Sequence, residues 1–174
     1  MRPGEDAAYC AYVVAHRPAL RRTAFLLCGD WHLADDLVQV ALTRLYVSWR
    51  RVQHAEAVDA YTRRVLTRVF LDERRRPWRR ELVSDAPAVH ERYEGGGLQE
   101  STVDRDRLLA ALTAVPARQR AVLVLRFFDD LSVEQVAQIL RCRPGTVKSQ
   151  TARGLARLRA ELGPVFLAGA RRNP

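Results

Sequence analysis

The stretch from Ser132 to Arg159 constrains the fold of this 174-residue chain more than any other part of it. Ser132 and Gln135 have the spacing of a capping box, in which two side chains satisfy backbone donors at a helix start. Pro144 suits the first turn of a second helix, where its missing N–H would be unpaired anyway. Apolar residues recur at helical spacing in both halves. The segment therefore predicts two helices around a tight turn.

The second of these helices is predicted to be apolar on one side and cationic on the other, with no acid between residues 146 and 157. A helix of this kind, set by a short turn against a scaffold helix, is how many proteins enter the DNA major groove. A surface helix with a solvated basic face is the alternative, but it would not require the cap, turn and face in this order. The polar side presents Thr146, Lys148, Ser149, Gln150, Arg153 and Arg157.

Charge is unevenly distributed along the chain, which has 29 basic and 20 acidic residues and a net charge of +9. Residues 52–80 carry eight basic and four acidic groups, and residues 141–174 carry eight and one. Between them, residues 81–107 reverse the sign, with three basic and seven acidic groups. Two positive blocks separated by an acidic connector suggest two places that bind a polyanion.

Membrane and extracellular settings are disfavoured by the sequence. No apolar run approaches the roughly 20 residues that a membrane-spanning helix needs, and the N-terminus lacks the apolar core of a signal peptide. Cys10, Cys28 and Cys142 are odd in number and far apart, so neither a disulfide nor a metal site is expected. We therefore expect a cytoplasmic protein without membrane insertion.

A catalytic function is not supported by any constellation of residues. The pairs Asp35–Asp36 and Asp129–Asp130 are adjacent in sequence, so their carboxylates diverge on a helix rather than converge on a substrate. There is no Ser-His-Asp arrangement, no HExxH motif and no phosphate-binding glycine loop. We expect no enzyme activity, no catalytic residue, no cofactor and no metal.

The periodicity is helical throughout, which predicts an all-α fold of two small helical domains joined by a flexible acidic linker. The predicted boundaries are residues 1–81, 82–103 and 104–174, with the helix-turn-helix in the last part. In the first domain we expect one helix over residues 6–15, a second opening at Pro18, a third over 31–51, a loop over 52–58 and a helix over 59–75. The third helix would place one face inward: Leu33, Leu37, Val40, Ala41, Leu45 and Trp49.

The block from Arg63 to Arg80, RRVLTRVFLDERRRPWRR, combines cations with aromatic residues. Tyr61 precedes it and Trp78 lies inside it. Single-strand binders need cations along a groove and aromatic faces on which bases stack, and this block meets that requirement. The alternative is that Tyr61 packs in the core and Trp78 only closes the domain.

Together these features resemble the extracytoplasmic-function (group IV) sigma factors of bacterial RNA polymerase, and within them the SigE-like group of actinobacteria. The segments that carry the resemblance are DDLVQVALTRLYVSW (35–49), AYTRRVL (60–66), RRRPWRRE (74–81), VPARQRAVLVLRFFDDLSVEQVAQIL (115–140) and GTVKSQTARGLARLR (145–159). The resemblance covers nearly the whole chain. It implies a promoter-specificity subunit that binds the β′ clamp and β flap of core polymerase and directs initiation at promoter DNA.

The resemblance also implies roles for individual residues. Asp35, Asp36, Leu37 and Gln39 would dock on the polymerase clamp. Tyr61, Arg63, Arg64, Arg68, Arg74, Arg75, Arg76 and Trp78 would melt and hold the minus-ten element. Thr146, Lys148, Ser149, Gln150, Ala152, Arg153 and Arg157 would contact the minus-thirty-five element. Relatives are often held inactive by an anti-sigma factor, although no residue here demonstrates such a partner.

Four positions depart from the pattern of relatives. Val40 stands where an acid is common and Arg68 where Asn is common. At the turn, Arg141 and Arg143 replace the usual Gly and Ser, and the lost side-chain cap at residue 143 weakens the helix start by about 1 kcal/mol. Two other functions stay open: a stand-alone helix-turn-helix regulator that binds operator DNA, and a protein that coats nucleic acid without sequence preference.

Overall fold

The structure is a computed structural model that describes residues 3–52, 55–74 and 102–170. Within these ranges every regular element is a helix, which confirms the predicted all-α fold class. The elements are α1 (Pro3–Cys28), α2 (Trp31–Val52), α3 (Ala55–Glu73), α4 (Thr102–Ala114), α5 (Ala117–Leu123), a π-helical turn (Val124–Phe128), α6 (Val133–Leu140) and α7 (Pro144–Ala170).

The first helix differs from its prediction, because α1 is continuous through Pro18. Proline lacks the N–H that would bond the carbonyl of Val14, and this usually bends or ends a helix. Both residues are exposed, Val14 at 78% of its surface, so water can satisfy the freed carbonyl. The helix ends at Cys28, and Gly29 follows with a φ of 79° and an N–H that bonds the carbonyl of Phe25 at 2.7 Å.

Helix α2 corresponds to the helix predicted over residues 31–51 and follows that prediction closely. Asp30 caps it by accepting a 2.7 Å hydrogen bond from the backbone N–H of Leu33. The expected inner face is mostly buried, but Val40 is exposed at 38% and lies on the solvent side, so that assignment was wrong. The face that is buried consists of Trp31, Ala34, Leu37, Val38, Ala41, Leu42, Leu45 and Trp49.

Helix α3 corresponds to the helix predicted over residues 59–75. It begins earlier than expected, at Ala55 rather than Asp59, and ends at Glu73. The predicted loop over 52–58 is therefore shorter, and residues 53–54 lie outside the described part. Val58 is 2% exposed, so burial of this residue explains why the helix extends through a stretch that looks polar in sequence. Val65, Leu66 and Val69 of this helix are also buried.

The C-terminal helices have the predicted helix-turn-helix form. The capping box of α6 is present, with Ser132 and Gln135 bonding each other's backbone N–H groups at 3.1 and 2.7 Å. Arg141 ends α6 in the left-handed region, at φ 50° and ψ 54°, and α7 begins at Pro144. The proposed linker, 82–103, lies almost entirely outside the described residues, so the three-part division stays a prediction.

The main apolar core spans both parts of the chain. Helices α1, α2 and α3 share one buried cluster with side chains of α4, α5 and the π-helical turn, among them Leu112, Val115, Leu123 and Val124. A second, smaller cluster holds the helix-turn-helix together: Val122, Leu125, Val136, Ala137, Ile139 and Val147. The C-terminal part is thus packed against the N-terminal part rather than folded apart from it.

Candidate nucleic-acid interface

Helix α7 has one buried and one exposed side, as the sequence predicts. Val147 is fully buried. Gly154 is also buried, and it packs so closely against α5 that an added Cβ would lie 3.1 Å from the side chain of Leu123. The opposite side is open to solvent at Lys148, Ser149, Ala152, Arg153 and Arg157. Packing against α5 therefore fixes which side of α7 can reach a groove.

Three of the predicted groove residues are less available than the others. Thr146 and Gln150 are half-buried at the edge of the exposed side. Arg157 forms an ion pair with Glu161, one turn on, at 3.0 Å. Arg153 is exposed and has no ion-pair partner within the described part of the chain. Among the predicted groove residues, Arg153 and the equally exposed Lys148 are therefore the cations available to a base or a phosphate.

The predicted minus-ten residues lie on α3, and most are already engaged by protein groups. The hydroxyl of Tyr61, which is half-buried, forms a 2.8 Å hydrogen bond with Ser48. Arg68 is exposed and pairs with Asp72 at 3.7 Å. Arg74 donates to the carbonyl of Cys28 at 3.4 Å. Arg75, Arg76 and Trp78 lie outside the described residues.

Arg63 and Arg64 face the C-terminal part. Arg63 lies 3.4 Å from Asp59 and 3.4 Å from Asp129, so it is shared between its own helix and the end of the π-helical turn. Arg64 is half-buried, and its Nε has no hydrogen-bond partner. In this arrangement Arg63 is engaged by two acids, and Arg64 lies in the contact region between α3 and the C-terminal part.

The predicted polymerase-docking residues divide into two groups. Asp36 and Gln39 are exposed on α2, and Asp35 is half-exposed but held by two hydrogen bonds from Arg21, at 2.8 and 3.0 Å. Those bonds lower the pKa of Asp35, which keeps it ionised. Leu37 is only 2% exposed and packs in the core, so its predicted docking contact is corrected to a packing role.

Two charged residues without a predicted binding role, Asp129 and Arg120, join the two parts of the chain. Asp129 accepts a 2.7 Å hydrogen bond from Thr23 of α1 besides its pairing with Arg63, and its burial raises its pKa. Arg120 is 3% exposed and donates to the carbonyl of Leu27 at 2.7 Å and to those of Val115 and Thr113.

Burial also lowers the pKa of Arg120, to about 10. The burial of Arg120 is indicated in the sequence by its position. It lies three residues after Ala117 and four before Val124, on the apolar stripe of its helix. A charge on such a stripe is either buried with partners or misplaced. Here carbonyl groups of both parts are those partners.

The described residues contain neither a metal-ion site nor a membrane-spanning helix. Among the described residues, no three His, Cys, Asp or Glu side chains are grouped so as to hold a metal ion. No helix in the described ranges is both long and apolar enough to cross a bilayer. Chemically, the described residues of this interface offer cationic and polar contacts that suit a polyanion.

Comparisons with known proteins identify the family. Sigma-70 region 2 matches residues 12–80, and sigma-70 region 4 matches residues 105–158. The RNA polymerase sigma-E factor of Streptomyces coelicolor is 36% identical over 162 residues, which cover 91% of this chain and 88% of that protein. The chain belongs to the extracytoplasmic-function sigma factors.

Other relatives agree with this assignment. The sigma factor SigE of Mycolicibacterium smegmatis is 30% identical over 164 residues, covering 90% of this chain and 63% of that protein. The solved co-crystal structure of the sigma factor RpoE with the anti-sigma factor NepR, from Bartonella quintana, superimposes with a TM-score of 0.70 at 25% identity. That match covers 88% of this chain and 96% of the matched chain.

As a sigma factor, the chain is a non-enzymatic specificity subunit that associates with RNA polymerase core enzyme and promoter DNA. The predicted SigE-like relationship and the absence of an enzymatic role are confirmed by these matches. Region 2 corresponds to α1–α3, and region 4 corresponds to α4–α6 with the first part of α7, up to residue 158. The residue-level assignments are not tested by the matches and stay predictions.

Proposed function

We propose that this sigma factor reads the minus-thirty-five element with the exposed side of α7, in the cytoplasm, where polymerase and promoter meet. The observation that carries the proposal is the placement of Ser149, Ala152 and Arg153 on one open side of a helix whose other side is buried. An arginine so placed can bond guanine through two N–H groups, and a small neighbour such as alanine allows close approach. Lys148 and Arg157 hold phosphates on either side.

For polymerase docking, the proposal assigns two separate surfaces. On α2, Asp36 and Gln39 are the exposed groups for the β′ clamp, with Asp35 held beside them by Arg21. On the C-terminal part, Phe127 and Phe128 are 54% and 50% exposed at the end of the π-helical turn. Exposed adjacent aromatic side chains are typical of interaction surfaces, and we assign this pair to the β flap.

For the minus-ten element, the proposal requires the two parts of the chain to separate. Arg63 is paired with Asp129, and α3 packs against the C-terminal part, so Arg63 and Arg64 reach single-stranded DNA only after that contact opens. Binding to polymerase at two distant surfaces would supply the energy for opening. The chain alone should therefore bind promoter DNA weakly.

An anti-sigma partner is part of the proposal. The described chain superimposes over most of its length on a sigma factor solved with its anti-sigma factor, which supports a similar closed arrangement as the inhibited form. Such a partner should co-purify from native extract with this chain and should suppress its transcription in a purified system.

Run-off transcription tests the main proposal. Core polymerase with this chain should initiate at discrete promoters of a genomic library, whereas core polymerase alone should not. No stimulated initiation at any promoter would contradict it. Tight, footprintable binding to an operator by the chain alone would instead favour a stand-alone regulator, and equal affinity for scrambled DNA with a steep salt dependence would favour a coating protein.

A further inference from the structure

An open cleft of about 290 Å³ lies between α3 and the C-terminal part of the chain. Four arginines line it, Arg64 and Arg68 from α3 and Arg118 and Arg141 from the facing helices, against a single acid, Asp72. Asp72 is already paired with Arg68 at 3.7 Å. The cleft therefore carries an excess of three positive charges.

The remaining cations of the cleft are not neutralised by the described residues. Arg118 and Arg141 are exposed and have no acid within ion-pair distance in the described ranges. The Nε of Arg64 is buried without any hydrogen-bond partner. Like charges gathered in one cleft repel each other. An anion bound among the exposed guanidinium groups would relieve that repulsion.

The conformation of Arg141 is a second, independent observation. Its φ of 50° lies in the left-handed region, which favours glycine. Backbone strain of this kind is retained where a side chain has a function.

We propose that this cleft binds a small phosphate-bearing anion, and that the bound anion holds the two parts of the chain together. Planar guanidinium groups match phosphate oxygens through paired N–H donors, and donors from both walls would bridge one ligand. Leu71, Ile139 and Leu140 add an apolar lining suited to a non-phosphate portion of the ligand. Because α3 forms one wall, an occupied cleft keeps Arg64 away from DNA.

A small anion accounts for the geometry better than a DNA backbone does. The cleft exists only while α3 and the C-terminal part are in contact, and its volume is close to the lower end for small-molecule sites. DNA contacts by Arg63 and Arg64 require the same walls to move apart. The binding step itself does not depend on the promoter function proposed above.

Titration calorimetry of the full chain with sodium tripolyphosphate, at about 150 mM salt to screen non-specific attraction, tests the proposal. The test variant is Arg141→Gly, which removes a guanidinium and suits the left-handed backbone, so a loss of binding cannot come from unfolding. The matched control is Arg143→Gln, which removes the same charge from an exposed residue of the same turn outside the cleft.

We expect one site per chain, affinity about tenfold weaker in Arg141→Gly and within about twofold of the original in Arg143→Gln. Tripolyphosphate should also slow hydrogen exchange of the amides of α3 and α6 in the unaltered chain. The proposal is overturned by absence of binding, by equal weakening in both variants, by unchanged exchange, or by an Arg141 dependence seen with short duplex DNA but not with tripolyphosphate. Since polymerase and promoter are absent, none of these outcomes bears on promoter recognition.

Discussion

At the scale of single residues, Arg153 and Lys148 are two exposed cations of α7 with different expected roles. Arg153 lies on the side opposite buried Val147, where we expect it to face base edges, whereas Lys148 lies at its margin, where we expect it to face phosphate. A guanidinium bonded to guanine adds sequence discrimination, and an ammonium near phosphate adds only attraction. The two substitutions should therefore differ in kind and not only in size.

We expect Arg153→Gln to reduce discrimination between the preferred minus-thirty-five sequence and a single guanine replacement by about 1–3 kcal/mol. Lys148→Gln, the control, should weaken initiation on both sequences about equally and reduce its salt dependence. Run-off transcription with core polymerase on the two templates measures both. Equal loss on both templates for Arg153→Gln would exclude a base contact by this residue.

Asp129 provides a pH-dependent test of the contact between the two parts. Burial raises its pKa in the folded chain above the unfolded value, and the opposing effects of Thr23 and Arg63 do not cancel this. The folded state therefore holds the proton more tightly, so Asp129 favours folding most below its unfolded pKa. That contribution is lost as pH rises through the folded pKa.

Accordingly, the stability of the unaltered chain relative to Asp129→Asn should fall as pH increases across this window. Urea unfolding of both proteins at several pH values measures the difference, which removes the effect of all other titrating groups. A relative stability that rises with pH would mean that the Arg63 ion pair outweighs burial.

At the scale of helices, the capping box of α6 depends only on residues close in sequence, and the sequence predicts it fully. The Ser132 hydroxyl accepts from the backbone of Gln135 at 3.1 Å. Ser132→Ala should lower the free energy of unfolding by about 1 kcal/mol because that donor loses its partner. Thr43→Ala, at an exposed position within α2, is the control and should change stability by less than about 0.5 kcal/mol. Thermal or urea unfolding measures both, and equal effects would show that the cap is not important.

Gly29 lies between α1 and α2 and packs against Thr113 of α4. Its φ is 79°, and a Cβ there would lie 2.6 Å from the Cγ2 atom of Thr113 on α4. Gly29→Ala should therefore lower the free energy of unfolding by about 1–3 kcal/mol. Gly145→Ala is the matched control, since a Cβ there would meet nothing within 4 Å. Urea unfolding of the two variants separates strain from the simple loss of a glycine, and similar stabilities would contradict the packing argument.

The helices that the sequence predicts well are those whose ends are set by local chemistry. Asp30, the Ser132–Gln135 pair and Pro144 all mark helix starts within a few residues, and the structure has them there. The errors at Pro18 and at the start of α3 have another cause. There, burial of surrounding side chains outweighs a local preference to end the helix, and no short window of sequence contains that information.

At the scale of the whole molecule, the sequence predicts two domains and the structure shows a shared core. Arg120 and Leu27 are separated by 93 positions, and Asp129 and Thr23 by 106. Helical periodicity identifies which residues are buried but not which partner buries them. For the same reason, the site residues on α7 could be predicted from one helix, whereas the pairing of Arg63 with Asp129 could not.

Arg120 is the residue through which this arrangement can be tested. Its guanidinium satisfies carbonyl groups of Leu27, Thr113 and Val115, and hence joins α1 to the C-terminal part. Arg120→Met keeps an unbranched side chain but leaves those carbonyls without their donor. We expect the free energy of unfolding to fall by about 3 kcal/mol or more, because each unpaired buried acceptor costs about 1–3 kcal/mol.

The same substitution should also loosen the contact between the two parts. Small-angle scattering should then show a larger radius of gyration, and calorimetry should show a broader unfolding transition, because the parts no longer unfold together. Arg118→Met, two residues earlier and exposed, is the control and should change neither quantity in the absence of added anion. If Arg120→Met were as compact and as cooperative as the unaltered chain, the apolar core alone would hold the parts together.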